Sequence, residues 1–335
     1  MTDTRNNAAS VVERTRSIDA GAPLVAAHFL DRTACFVSGE ENVLLVAPDG
    51  EPRRALVHSG AILAAAADGA RLLTAGDDGK VVSTNARAET RTIVTDAKRR
   101  WIDRVAAGPE GAIAWSIAKT ACVQTAKRQE KAIELPSSVG GLSFAPRGFR
   151  LAVAHYNGAT LWFPNANAAP ARFAWKGSHL DVTFSPDGKF LVTAMQEPAL
   201  HGWRLADRKD MRMSGYAAKV RSFGWTADGK WLATSGSEQL VLWPFQGKDG
   251  PLGRTPKLLA AHEHRVAVVA CHPGQEIVAA GYEDGMILLV RIADGAEILA
   301  RKPSAAPVTA LAWDDGGTLL AFGGEDGQAG IVDLS

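Results

Sequence analysis

The chain has 335 residues, 46% of them hydrophobic and 22% charged, a balance that supports a sizeable core and excludes a largely disordered chain. Thirty-seven lysines and arginines against 36 aspartates and glutamates leave a net charge of +1, which gives no long-range field for polyanions and sets nucleic acid aside as a partner. No apolar run reaches the length of a secretory signal or a membrane span, so a cytoplasmic location without membrane contact is expected.

In chain order, the polar start Met1-Thr-Asp-Thr-Arg-Asn-Asn places residues 1–10 as a flexible N-terminus, ahead of one domain over residues 11–335. Val11–Ile18 has the composition of a strand. From there one phrase recurs: a turn of the form Phe-Ser-Pro-Asp-Gly-Lys, an apolar strand ending in a small residue, a tight turn, and a second apolar strand. Its turns stand at Ala67-Asp-Gly69, Gly108-Pro-Glu-Gly111, Phe144-Ala-Pro-Arg-Gly148, Phe184 to Lys189, Trp225 to Lys230, Cys271-His-Pro-Gly274 and Trp313 to Gly317.

The residue ending the second strand marks eight repeats, at Gly39, Gly76, Ile117, His155, Met195, Gly236, Gly281 and Gly323, at intervals of 37 to 45 residues. Asp-Gly pairs in Gly76–Gly79, Gly281–Gly285 and Gly323–Gly327 supply the positive-φ positions of tight hairpins. Trp162, Trp203 and Trp243 recur at strand ends, and with Trp225 and Trp313 they are assigned to packing between sheets. Gly247–Pro256 reads as one long loop rather than a domain boundary. Cys35, Cys122 and Cys271 have neither zinc-site nor redox spacing and are read as reduced core residues.

Over residues 20–335 the period and the Ser-Pro-Asp-Gly-Lys turns resemble the WD40 repeat family. The match is divergent: no Trp-Asp dipeptide closes a repeat, since Trp313-Asp314 lies in a turn and Val332-Asp333 comes nearest at the closing position, and the Gly-His of the family is best represented by Ala261-His262. The resemblance implies an all-β fold, a closed β-propeller of four-stranded antiparallel blades, and a structural pair of His262 with the turn aspartate Asp284. Eight markers give eight blades, with seven as the alternative if residues 102–125 are an insertion. The last repeat runs out at Ser335 without a fourth strand, so the N-terminal strand is expected to complete the last blade. Alanine-, glycine- and arginine-rich usage points to a GC-rich bacterial gene.

No catalytic constellation is found, and neither an enzyme nor a cofactor is expected. The first-strand positions Asp103, Gly140, Leu180, Arg221, Ala267 and Thr309 do not form an acidic ring. His262, His264 and His272 are the most metal-like group but fall short of a ligand set, and no metal is assigned. The leading reading is a monomeric, non-catalytic scaffold that presents blade loops to proteins or peptides. The alternative is a propeller enzyme, or a small-molecule or metal-binding protein, using the central channel mouth. In the family the favoured face is built by loops into the first strand and by second-to-third strand hairpins. Those positions give Arg99, Arg100, Trp101, Arg104, Tyr156, Tyr216, Arg221, Tyr282 and Glu283 as candidate contacts, with Trp101 first because tryptophan and arginine dominate binding hot spots.

Overall fold

A computed structural model describes residues 9–335, in which the chain forms 31 strands, two short 3-10 turns and no α-helix. Contacts divide it into two units: residues 1–38 with 221–335, termed the terminal unit, and residues 39–220, the central unit.

The terminal unit begins with β1 (Ala9–Ser10), β2 (Thr15–Asp19), β3 (Leu24–Leu30) and β4 (Thr33–Ser38). The central unit contains β5 (Asn42–Val46), β6 (Arg53–Leu56), β7 (Ile62–Ala67), β8 (Arg71–Gly76), β9 (Lys80–Asn85), β10 (Thr90–Thr95), β11 (Arg104–Ala107), β12 (Ile113–Ile117), β13 (Thr120–Gln124) and β14 (Glu130–Glu134). It continues with β15 (Gly141–Phe144), β16 (Leu151–Trp162), β17 (Ala171–Phe184), β18 (Phe190–Met195), β19 (Ala199–Arg204) and β20 (Asp210–Ser214). The terminal unit resumes with β21 (Phe223–Trp225), β22 (Trp231–Thr234), β23 (Leu240–Pro244), β24 (Lys257–Leu259), β25 (Val266–Cys271) and β26 (Ile277–Tyr282). It ends with β27 (Ile287–Arg291), β28 (Glu297–Arg301), β29 (Val308–Trp313), β30 (Leu319–Gly324) and β31 (Gln328–Asp333).

The hairpins form where the repeated turn closes its own backbone. Ser185 Oγ accepts from the amides of Lys189 and Phe190 at 3.2 and 3.0 Å, and Thr226 Oγ1 does the same for Trp231 at 3.1 Å. Asp314 Oδ1 takes that place for Thr318 and Leu319 at 2.8 and 2.7 Å. His272 uses its ring: Nδ1 accepts from Gly274 and Gln275, both at 3.0 Å, which leaves Nε2 to donate to the Gly317 carbonyl at 3.0 Å. Gly317, at φ 67°, admits that imidazole because a Cβ there would lie 2.2 Å from it. The strands behind these turns are the core, with Phe190–Met195, Leu240–Pro244 and Leu319–Gly324 buried along their whole lengths. A continuous apolar run is what a strand covered on both faces requires.

Among the described strands there are seven hydrogen-bonded sheets, which corrects the expected count of eight separate ones. The alternative placed the missing unit at residues 102–125, yet β11 to β14 make a complete four-stranded sheet. The reduction arises instead at the fourth and fifth repeats. The marker His155 does not end a strand, because β16 continues through Asn157 (φ 65°) and Gly158 (φ 134°). Strand β17 is unbroken, pairing with β16 up to Ser178 and with β18 from His179 onward. Both repeats therefore share one six-stranded sheet, β15 to β20.

In the terminal unit, β2 lies antiparallel to β31, from Thr15 opposite Val332 to Asp19 opposite Gln328, so the N-terminal segment supplies the outer strand of the last sheet. The strand starts later than Val11, because Val12–Arg14 form a 3-10 turn. Of the N-terminus expected to be flexible, residues 1–8 lie outside the described residues, while Ala9 and Ser10 are strand β1, parallel to β28.

Candidate functional site

In the central unit the loop from β10 to β11 is organised by one carboxylate. Asp96 Oδ2 accepts from the Arg100 amide at 2.9 Å, and its two oxygens take the Arg100 guanidinium side-on at 2.7 and 3.2 Å. That fork of hydrogen bonds holds the Asp96 pKa down at about 2. The loop is tied to the preceding hairpin by Asp96 N to Gly79 O (2.8 Å) and Ile102 N to Gly76 O (3.1 Å). Gly79, at φ 76°, lets it approach, since a Cβ there would sit 2.9 Å from Arg99 Cα. Ile102 is fully buried while its neighbour Trp101 is 66% exposed. The loop thus pins one side chain inward and holds a large aromatic outward, flanked by the exposed cations Lys98 and Arg99.

The other candidates separate into surface and interior. Tyr156, also in the central unit, is 57% exposed, with its amide held by Ser137 Oγ at 2.8 Å. In the terminal unit Arg221 is exposed. Three candidates are corrected. Tyr216 is buried. Tyr282 is fully buried, its hydroxyl donating to the Ala260 carbonyl at 2.6 Å, and burial pushes its phenol pKa up. Arg104 is turned inward, donating to the carbonyls of Gly140 and Asp103, both at 2.5 Å. Glu283 is half-exposed but faces Arg265 at 3.0 Å. A tyrosine or arginine in a loop can serve surface or backbone equally, and composition alone does not say which.

Among the residues given structural roles, His262 Nε2 lies 2.9 Å from Asp284 Oδ2. Burial, the largest single effect, would raise the Asp284 pKa, but the His262 hydrogen bond, the Met286 amide and the charges of His262 and His264 together outweigh it and the carboxyl ends below its ordinary value. Trp162, Trp203 and Trp243 are buried. His264 is 5.6 Å from His262, centroid to centroid, and His272 is committed to its turn; no group of three metal-type ligands exists among the described residues.

Two arrangements escaped the sequence reading. In the central unit, His58 Nδ1 donates to Asp78 Oδ1 at 2.9 Å and Nε2 meets the Thr74 hydroxyl at 3.0 Å. The signal was spacing, a histidine 20 residues before a turn aspartate, as with His262 and Asp284 at 22. The second is His201, fully buried and stacked on Trp175 at 3.9 Å between centroids and 16° between planes. Neither of its ring nitrogens has a hydrogen-bond partner, although Asp210 Oδ2 comes within 3.3 Å of Nε2.

Burial raises the thiols of Cys35 and Cys271 to about 12 and that of Cys122 to about 11, so at neutral pH they stay protonated and poorly nucleophilic. No helix among the described residues is long and apolar enough to cross a membrane.

Repeated antiparallel sheets, most of them four-stranded and with Asp-Gly turns between neighbouring strands, define an all-β protein of the propeller class. The crystal structure of the computationally designed Ika8 protein shares the fold, with a TM-score of 0.75 and 15% identity over 94% of this chain and 97% of that one. A family model described as the anaphase-promoting complex subunit 4 WD40 domain matches residues 262–335. WD repeat and HMG-box DNA-binding protein 1 of Xenopus laevis is 24% identical over 164 residues, 49% of this chain and 14% of that protein. WD repeat-containing protein 55 of Rattus norvegicus is 26% identical over 203 residues, 58% of this chain and 51% of its own length. Over these stretches the chain resembles WD-repeat proteins. Its matches span 14% and 51% of those two relatives.

Proposed function

We propose that the chain is a non-catalytic scaffold that binds a protein or peptide partner, and that the β10–β11 loop is a principal contact, with Trp101 as its anchor and Arg99 beside it. The observation that carries this reading is the pairing of an outward Trp101 with a buried Ile102 on a loop already fixed by Asp96. A large aromatic exposed on a rigid support gives up little conformational freedom on binding and buries much apolar area. Tyr156 and Arg221 are secondary contacts in their respective units. The WD-repeat relatives agree with an interaction role.

The test is purification of partners by the intact chain and by Trp101→Ala. The variant is expected to lose a stoichiometric partner, with at least about a 30-fold weaker Kd, the effect of a hot spot worth about 2 kcal/mol. Its melting temperature should not change, because Trp101 fills no core. Retention of all partners by Trp101→Ala and by Arg99→Ala refutes the assignment.

A further inference from the structure

The outer strands of the sheets are protected from other chains in different ways. In the central unit β6 carries Arg53 and Arg54, β10 carries Arg91, β14 carries Lys131 and β20 carries Arg212. In the terminal unit β24 is only three residues long and opens on Lys257. Charge and shortness are the usual means of blunting an edge. Strand β28 is longer than β24 and keeps its charges, Glu297 and Arg301, at its two ends, so that Ile298-Leu299-Ala300 form an uncharged centre.

That centre is covered by the chain's own β1. Ala9 pairs with Ile298 and Ser10 with Leu299 in parallel, and the Val11 amide donates to the Leu299 carbonyl at 2.9 Å. Ser10 Oγ adds a long contact to the same carbonyl at 3.4 Å. The cover is slight: both residues of β1 are exposed, and it makes two residue pairs where β2 makes five. Local opening of so short a strand costs far less than release of β2.

We propose that the β28 edge is a strand-addition site closed in cis by β1, and that its occupant is an extended, uncharged segment of another protein pairing parallel to Ile298-Leu299. The seated Ala9-Ser10-Val11 shows the chemistry required, small or β-branched side chains on a free backbone. Because Val11 N bonds to Leu299 O, the Leu299 backbone faces the added strand, so main-chain hydrogen bonds supply the affinity. This site lies in the terminal unit and does not depend on the Trp101 loop.

A fluorescein-labelled peptide with the sequence of Ala9–Arg14 is the probe, and fluorescence anisotropy the readout. The full chain carrying Val11→Pro, which removes the donor to Leu299, is expected to bind it at least about tenfold more tightly than the unaltered chain, because the closed fraction no longer taxes binding. Adding Leu299→Pro should return binding to the unaltered level. Equal binding by all three proteins refutes the proposal, and so does a Val11→Pro chain that associates with itself and leaves the peptide free. Hydrogen exchange on the unaltered chain tests it without any variant: the Val11 amide must exchange much faster than the paired amides of β2, and equal protection overturns the idea.

Discussion

His58 and His262 each hold the aspartate of a tight turn at 2.9 Å, but in different surroundings. The His58 side chain is fully buried and Asp78 8% exposed, whereas His262 and Asp284 are 25% and 13% exposed. Removing a buried partner strands what it held, and His58→Ala would leave both the Asp78 carboxylate and the Thr74 hydroxyl without their ring contacts. The expected cost is about 1–3 kcal/mol, with His262→Ala below about 1 kcal/mol because water reaches Asp284. Urea unfolding of the two variants checks this, and equal losses would show that burial does not set the value of the contact. At this scale the sequence was partly legible. His262 was found through its resemblance to the Gly-His of the family, while Val57-His58 hid the same role. Exposure was least legible: Trp101 and Tyr282 were equally good surface candidates until burial separated them.

Turns were easier to foresee than strand boundaries. Asp-Gly pairs and the Ser, Thr, His or Asp that caps the Pro-Asp-Gly turn act through adjacent atoms, so their positions follow from local chemistry. The fusion of the fourth and fifth repeats did not follow, because Trp175-Lys176-Gly177-Ser178 offers no Asp-Gly or proline to stop β17, and whether a strand stops there depends on its neighbours. The N-terminal latch was legible from arithmetic, since the last repeat lacked one strand. Strand β2 buries Ile18 and covers β31, whose centre, Ala329-Gly-Ile-Val332, is uncharged. Deleting residues 1–20 is therefore expected to lower the melting temperature and to yield aggregates through the bared β31 edge. Light scattering and thermal melts decide it; a truncated chain that stays monomeric with an unchanged melting temperature would show that the latch is dispensable.

For the whole chain, a net charge of +1 conceals an uneven distribution. The central unit has 24 lysines and arginines against 18 aspartates and glutamates, formally +6, and the terminal unit has 13 against 18, formally −5. Neutrality discourages polyanions from the chain as a total and not from the central unit alone, a distinction invisible until the units are known. Acid stability is the other property of the whole. Burial lowers the pKa of His28 and His201 from 6.5 to about 4, and that of His155, His179 and His272 in the same direction. Each of these folded pKa values lies below its unfolded one, so the unfolded chain takes up protons that the native protein refuses. Their contribution is complete above pH 6.5 and is lost as pH falls toward 4, below which the His28 and His201 contributions level off. For His201 the full loss is about 3 kcal/mol, at 1.36 kcal/mol per pH unit. The cationic ring would face Asp210, which favours it, and His179 and Arg212, which oppose it. His201→Phe keeps an aromatic against Trp175 and removes the titration. Between pH 7.5 and 4.5 it should lose about 2–3 kcal/mol less unfolding free energy than the unaltered chain. Denaturant titrations at the two pH values measure that difference, and parallel acid limbs for both proteins would place the sensitivity on the other buried histidines.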